Sequence, residues 1–108
     1  MSGSYCMVLT TCADEETARR LTDGLLTEHL VACVQRMPVQ SAYWWEGSVQ
    51  HETELLLLMK TRLDRYPAVE AWLRAEHPYE VPEVIQLPIS SGFPTYLEWI
   101  AASTRPEA

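Results

Sequence analysis

The segment His77-Pro78-Tyr79-Glu80-Val81-Pro82-Glu83 sets an imidazole, a phenol and two carboxylates within seven residues braced by two prolines. Imidazole and carboxylate ligate metals and carry protons, so the segment holds parts of a cation site or of an acid–base pair. Each proline fixes its own φ and pushes the residue before it towards extended backbone, restraining His77 and Val81 before any tertiary contact forms. A plainer role fits the same spacing: Pro78 stops a helix, Pro82 opens a strand, and His77 and Glu80 are solvated.

The nearest soft donor in type is Cys12, one of three cysteines, with Cys6 and Cys33. An odd number without a paired framework reads as reduced thiols of the cytosol. Should Cys12 meet His77, thiolate and imidazole suit copper or zinc, and Glu76, Glu80 and Glu83 can complete the shell or orient the ring. The alternative is a Cys12 nucleophile with His77 as its base. No Gly-rich or Arg-bearing loop offers an oxyanion or phosphate hold, and Thr11-Cys12-Ala13-Asp14 would repel an anionic substrate, so no enzyme is expected. Cys6 and Cys33 lie in apolar strands and read as core; Cys6 and Cys12 are roughly 20 Å apart on an extended strand and cannot share an ion. His29 suits a helix C-terminus, and His51 reads as a surface or interface residue.

A net charge of -7, from 15 acids against 8 dispersed bases, leaves no basic stripe. Nucleic acid is repelled by such a surface, and metal cations are mildly attracted. The 108 residues suit a single domain over 1–108, with frayed ends at 1–3 and 104–108. No apolar run reaches the roughly 18 residues of a membrane span, and the opening residues lack the order of a signal peptide, giving a cytoplasmic expectation.

The elements that must position these groups follow from periodicity. Tyr5 to Thr11 is rich in strand formers. Asp14 stands where a helix N-cap is wanted, Glu15 and Glu16 suit the positive end of the dipole, and Ala18, Leu21, Leu25 and Leu26 recur at helical spacing. Gly24 within that helix costs about 1 kcal/mol relative to Ala. Val31 to Trp45 and Ser48 to Thr61 read as a long hairpin turning at Glu46-Gly47. The second arm alternates to Glu54 and then runs Leu55-Leu56-Leu57-Leu58-Met59, so its base is expected within a sheet covered on both faces and its tip beyond it. Asp64 is predicted to cap a second helix whose stripe is Tyr66, Val69, Trp72 and Leu73, ended by Pro78. Val84 to Ile89 is a fourth strand, and Phe93 to Ala102 a short terminal helix.

Tyr43, Trp44 and Trp45 at the hairpin tip are too much aromatic surface to leave in water, and a long arm presents unpaired edge groups. Self-association through Tyr43, Trp44, Trp45, Glu46 and Gly47 is the inference; the other arrangement folds the aromatics back on their own domain. The order strand, helix, strand, strand, helix, strand is that of an α+β, ferredoxin-like βαββαβ sandwich. Its first and fourth strands are antiparallel neighbours, which brings the exit of strand one, with Cys12, beside the His77 corner.

Tyr43-Trp44-Trp45-Glu46-Gly47, Leu57-Leu58-Met59-Lys60-Thr61, the His77 to Glu83 segment and Tyr96-Leu97-Glu98-Trp99 resemble the CutA-type divalent-cation tolerance family over nearly the whole chain. The resemblance implies a cytosolic homotrimer with interlocked hairpins, similar in architecture to PII signalling proteins. It also implies a link to divalent metals, copper foremost, through a Cys at the end of strand one and a His-His pair before Pro-Tyr. In this chain Thr10 falls where that Cys would stand, Glu76 replaces the first His, and His77 alone matches; Cys12 is two positions downstream, a shift of roughly 6 to 7 Å on the same face.

Two readings follow. In one, a trimer binds copper or another divalent cation reversibly through His77, helped by Cys12, Glu76 or Glu80. In the other, a PII-like module holds a small molecule or partner segment in inter-subunit clefts lined by Tyr79, Glu83, Lys60 and Trp44.

Overall fold

The structure, a computed structural model, describes residues 4–105. Strand β1 (Tyr5–Cys12), helix α1 (Glu15–Thr27), strands β2 (Cys33–Trp45) and β3 (Ser48–Arg62), helix α2 (Tyr66–Glu76), strand β4 (Ile85–Ile89) and helix α3 (Pro94–Ser103) follow in the expected order. The sheet runs β2-β3-β1-β4, every neighbouring pair antiparallel, the arrangement of a ferredoxin-like α+β sandwich. Its edge strand β2 accommodates Pro38, which cannot donate to a ladder and would be excluded from a central strand.

Period-two alternation sends Cys6, Val8, Thr10 and Cys12 of β1 to one face, opposite Thr61, Met59, Leu57 and Leu55 of β3. Onto that face pack Ala18, Leu21 and Leu25 of α1 and Val69 and Leu73 of α2, all fully buried. Burying each of these leucine and valine side chains contributes about 1.5 to 3 kcal/mol. The opposite face carries Met7, Leu9, Leu56, Leu58, Ile85 and Leu87 by register. Leu56 and Leu58 are half-buried, and Ile85 and Leu87 are exposed, so the leucine run is covered on one face only within the single chain.

Helix α1 is capped as its sequence requires: the Asp14 carboxylate accepts from the Thr17 N–H at 2.8 Å. It ends in a Schellman motif, His29 N–H to Leu26 C=O and Leu30 N–H to Leu25 C=O, with His29 at φ 57 in place of the usual glycine. Gly24 has a packing reason: a Cβ there would lie 2.6 Å from Cη2 of Trp72 on α2. The α1–α2 approach therefore depends on the absent side chain.

Several boundaries differ from expectation. Asp64 does not cap α2; it sits in a 3₁₀ turn, Leu63–Arg65, that leads directly into the helix, and its carboxylate accepts from Arg62 at 3.2 Å. Strand β4 begins at Ile85, because the preceding residues form the irregular corner after Pro78. Cys33 is half-buried, its Sγ 3.6 Å from the Tyr96 hydroxyl, because α3 covers only part of that face. Thr104, expected to fray, is fully buried: Arg62 donates to its Oγ1 at 3.0 Å and to its carbonyl at 2.9 Å. Arg105 is exposed, and the other residues assigned to frayed ends, 1–3 and 106–108, lie outside the described part.

The hairpin turns on two residues in the left-handed region, Glu46 at φ 52 and Gly47 at φ 86, with Trp45 paired to Ser48. Their φ signs are those of a type I′ turn, whose twist matches that of the strands. Beyond Leu55, the partner of Cys12, β3 pairs only with β2, and the arm projects to give overall extents of 44 × 26 × 21 Å.

Candidate functional site

Proline restraint and sheet topology together bring the His77 corner to the exit of β1. His77 follows α2 in extended backbone, ψ 135, as expected for a residue ahead of proline. The residue is 7 % exposed, and its ring lies against the end of β1. Nδ1 accepts the Tyr79 backbone N–H at 3.1 Å, so Nε2 carries the proton and donates to the Thr11 carbonyl at 2.8 Å. Both nitrogens of a neutral imidazole are thereby used. Burial, more than the charge of Arg20, holds the His77 pKa below its ordinary value of 6.5.

The convergence of Cys12 and His77 on one end of the sheet is therefore observed, but the two do not bond to each other. Cys12 is still within β1, paired with Leu55, and its fully buried thiol donates to the Asp14 carbonyl at 3.7 Å. Burial pushes that thiol up from 9.0, leaving it a weak nucleophile. Because the chain has not left the sheet at Cys12, its side chain stays on the core face with Thr10, whose buried hydroxyl has no hydrogen-bond partner. Glu76 faces α1 instead, 3.6 Å from Arg20. Glu80 is exposed. Among the described residues no three of His, Cys, Asp and Glu converge as a set that could hold an ion. The proposed ligands thus share a region without forming a closed metal centre, and His77 must surrender one hydrogen bond before it can ligate.

The same corner closes one side of a groove of about 830 Å³. Residues 79–83 form one wall and the rising hairpin forms the other, with Tyr43, Trp45, Glu52 and Glu54 pointing in. By register these hairpin residues continue the row of Leu56 on the face away from α1 and α2. Tyr79 crosses to that row, and its hydroxyl donates to Glu54 Oε2 at 2.7 Å; nearer the tip of the arm the Tyr43 hydroxyl donates to Glu52 at 2.7 Å. Burial, then the Glu54 hydrogen bond, raises the Tyr79 phenol well above its usual range, and the Glu52 bond raises Tyr43 to about 12. Both phenols therefore remain donors.

Of the expected cleft residues, Tyr79 and Glu83 line this groove. Lys60 does not: its ammonium donates to Gln35 at 2.6 Å farther down the sheet. Trp44 is 74 % exposed and by register faces the other side of the arm, opposite Val49. Glu54 was missed as a site residue because strict alternation assigned it to a half-exposed ribbon, whereas it is only 5 % exposed. The available signal was a carboxylate directly abutting an apolar run.

A family model described as CutA1 divalent ion tolerance protein matches residues 6–103. The chain belongs to this family. It is similar to the chloroplastic protein CutA 1 of Oryza sativa, 45% identical over 92% of this chain and 56% of that protein, so it spans about half of that relative's length. The divalent-cation tolerance protein CutA of Thermus thermophilus is 42% identical over 91% of this chain and 96% of its own length. The crystal structure of CutA1 from Oryza sativa superposes with a TM-score of 0.91 at 42% identity, covering 99% of this chain and 98% of that one. Membership agrees with the expectation drawn from the hairpin and His77 motifs, and no helix of the described residues is long and apolar enough to cross a membrane.

Proposed function

We propose that the protein is a cytoplasmic homotrimer serving divalent-cation tolerance, binding copper or a similar divalent ion reversibly as part of the response to metal ions, without catalysing a reaction. The observation that supports the cation reading is the groove beside the His77 corner, whose ionisable lining consists of carboxylates and phenols with no Lys, Arg or His. A low density of positive charge, beside one imidazole that can ligate after giving up a hydrogen bond, suits transient capture of an ion treated as cargo. His77 is the assigned nitrogen donor, with Glu80 three residues on; Glu76 and Cys12 join only if the Arg20 pair opens or β1 frays. Calorimetric titration with copper tests this. Wild type is expected to bind weakly and saturably, and His77→Gln to lose that binding; equal binding by both proteins, or none by wild type, removes His77 from the assignment.

A second reading is favoured by the groove's size, which exceeds anything a bare ion needs. In it the family fold works as a PII-like module, its clefts completed by Lys60 and Trp44 of a neighbouring copy and occupied by a small molecule or partner segment.

A further inference from the structure

The donors at the His77 corner do not converge on a common point, and one side chain of α1 accounts for part of that. Arg20 crosses from α1 to the last residue of α2 and meets it twice: Nη2 donates to the Glu76 carbonyl at 3.0 Å, and Nη1 lies 3.6 Å from the Glu76 carboxylate. The last carbonyls of a helix have no partner within it, and a cation placed there also suits the negative end of the dipole. Glu16 and Asp23 stand about one turn from Arg20 on α1 itself, yet its ion pair among the described residues is made with Glu76 across the two helices. The backbone ties this contact to the imidazole, because the His77 N–H still donates to the Leu73 carbonyl at 2.8 Å. Glu76 is thereby turned towards α1 while the ring of His77 turns to the end of β1. The guanidinium charge is felt at that ring, where it disfavours an added proton, and a metal cation meets the same repulsion. Both members of the pair are 49 % exposed, so the contact is one that opens readily rather than a fixed strut.

We propose that Arg20 is a gate on cation capture at this corner: its guanidinium occupies the Glu76 carboxylate and withholds it as a second donor beside His77, which keeps binding weak and release easy. This rests on the copper reading of His77 and names what regulates it. An incoming ion has to displace Arg20 from Glu76, and one hydrogen bond from His77, before the two adjacent residues act together. Calorimetric titration of the assembled protein with copper(II) is the test, run on wild type, Arg20→Gln, Arg20→Gln/Glu76→Gln and His77→Gln, with urea unfolding of each metal-free protein alongside. Arg20→Gln, which keeps a hydrogen-bond donor and removes the charge, is expected to bind copper about two- to fivefold more tightly, the range set by a half-exposed ion pair. Its urea midpoint is expected to change little, and the double variant to lose the gain. A purely structural Arg20 gives the opposite sign, weaker binding by a less stable protein. Arg20→Gln binding no more tightly than wild type, while His77→Gln still loses binding, would overturn the gate and leave the copper reading standing. A gain of the same size in the double variant would be repulsion alone and would overturn the withholding of Glu76. Copper binding that His77→Gln leaves unchanged would overturn the reading and the gate together.

Discussion

At the residue scale, the lesson of His77 is that an imidazole in a metal-like motif is first a structural hydrogen-bonding group. It joins the Thr11 carbonyl to the Tyr79 N–H and so fixes where the proline corner crosses the end of β1. That role has a pH signature. Because the folded protein holds His77 below 6.5 while the unfolded chain titrates near that value, the unfolded state binds more protons in the interval between them. Stability from His77 is complete above 6.5 and declines as pH falls through the interval towards the folded value. Urea unfolding from about pH 7.5 to about pH 5 is expected to show the advantage of wild type over His77→Gln shrinking on acidification. A constant difference would place the imidazole's contribution elsewhere.

At the element scale, the α1–α2 contact shows why propensity is a weak guide. Gly24→Ala on an isolated helix stabilises by about 1 kcal/mol. Here the added methyl would collide with the Trp72 ring, and overpacking costs about 1 to 3 kcal/mol. The substitution is expected to lower the urea midpoint in wild type and to become neutral or stabilising in a Trp72→Phe background, a coupling that a double-mutant cycle reads directly. Stabilisation in both backgrounds would show that the helices separate at no cost. The hairpin is the second case: Glu46 adopts positive φ although Asn or Asp is the usual choice, because the long ladder on either side holds the tight turn in register.

For the whole molecule, the exposed surface is the informative quantity. Trp44 at 74 %, Val49, Ile85 and Leu87 leave apolar area on the arm and on the sheet face away from α1 and α2 that a single chain does not cover. Assembly into a trimer would cover it. Light scattering is expected to give three times the 12.3 kDa chain mass, and Trp44→Glu to shift the population towards monomer at low concentration with an unchanged far-ultraviolet spectrum. A wild-type monomer would refute the assembly, and an unaffected Trp44→Glu trimer would move the interface off the arm.

Periodicity, caps and turn residues by themselves determined the order of elements, the sandwich topology and the meeting of the β1 exit with the His77 corner, because each is a consequence of local backbone preference and strand pairing. They also carried the family resemblance. Only the tertiary structure decided which donors were already occupied and which were free. The Nε2 partner of His77, the retention of Cys12 in the core, and the burial of Glu54 under Tyr79 all depend on distances between segments far apart in the chain. Spacing along a strand fixes the face on which a side chain lies, whereas what lies opposite depends on how far the neighbouring elements reach across it.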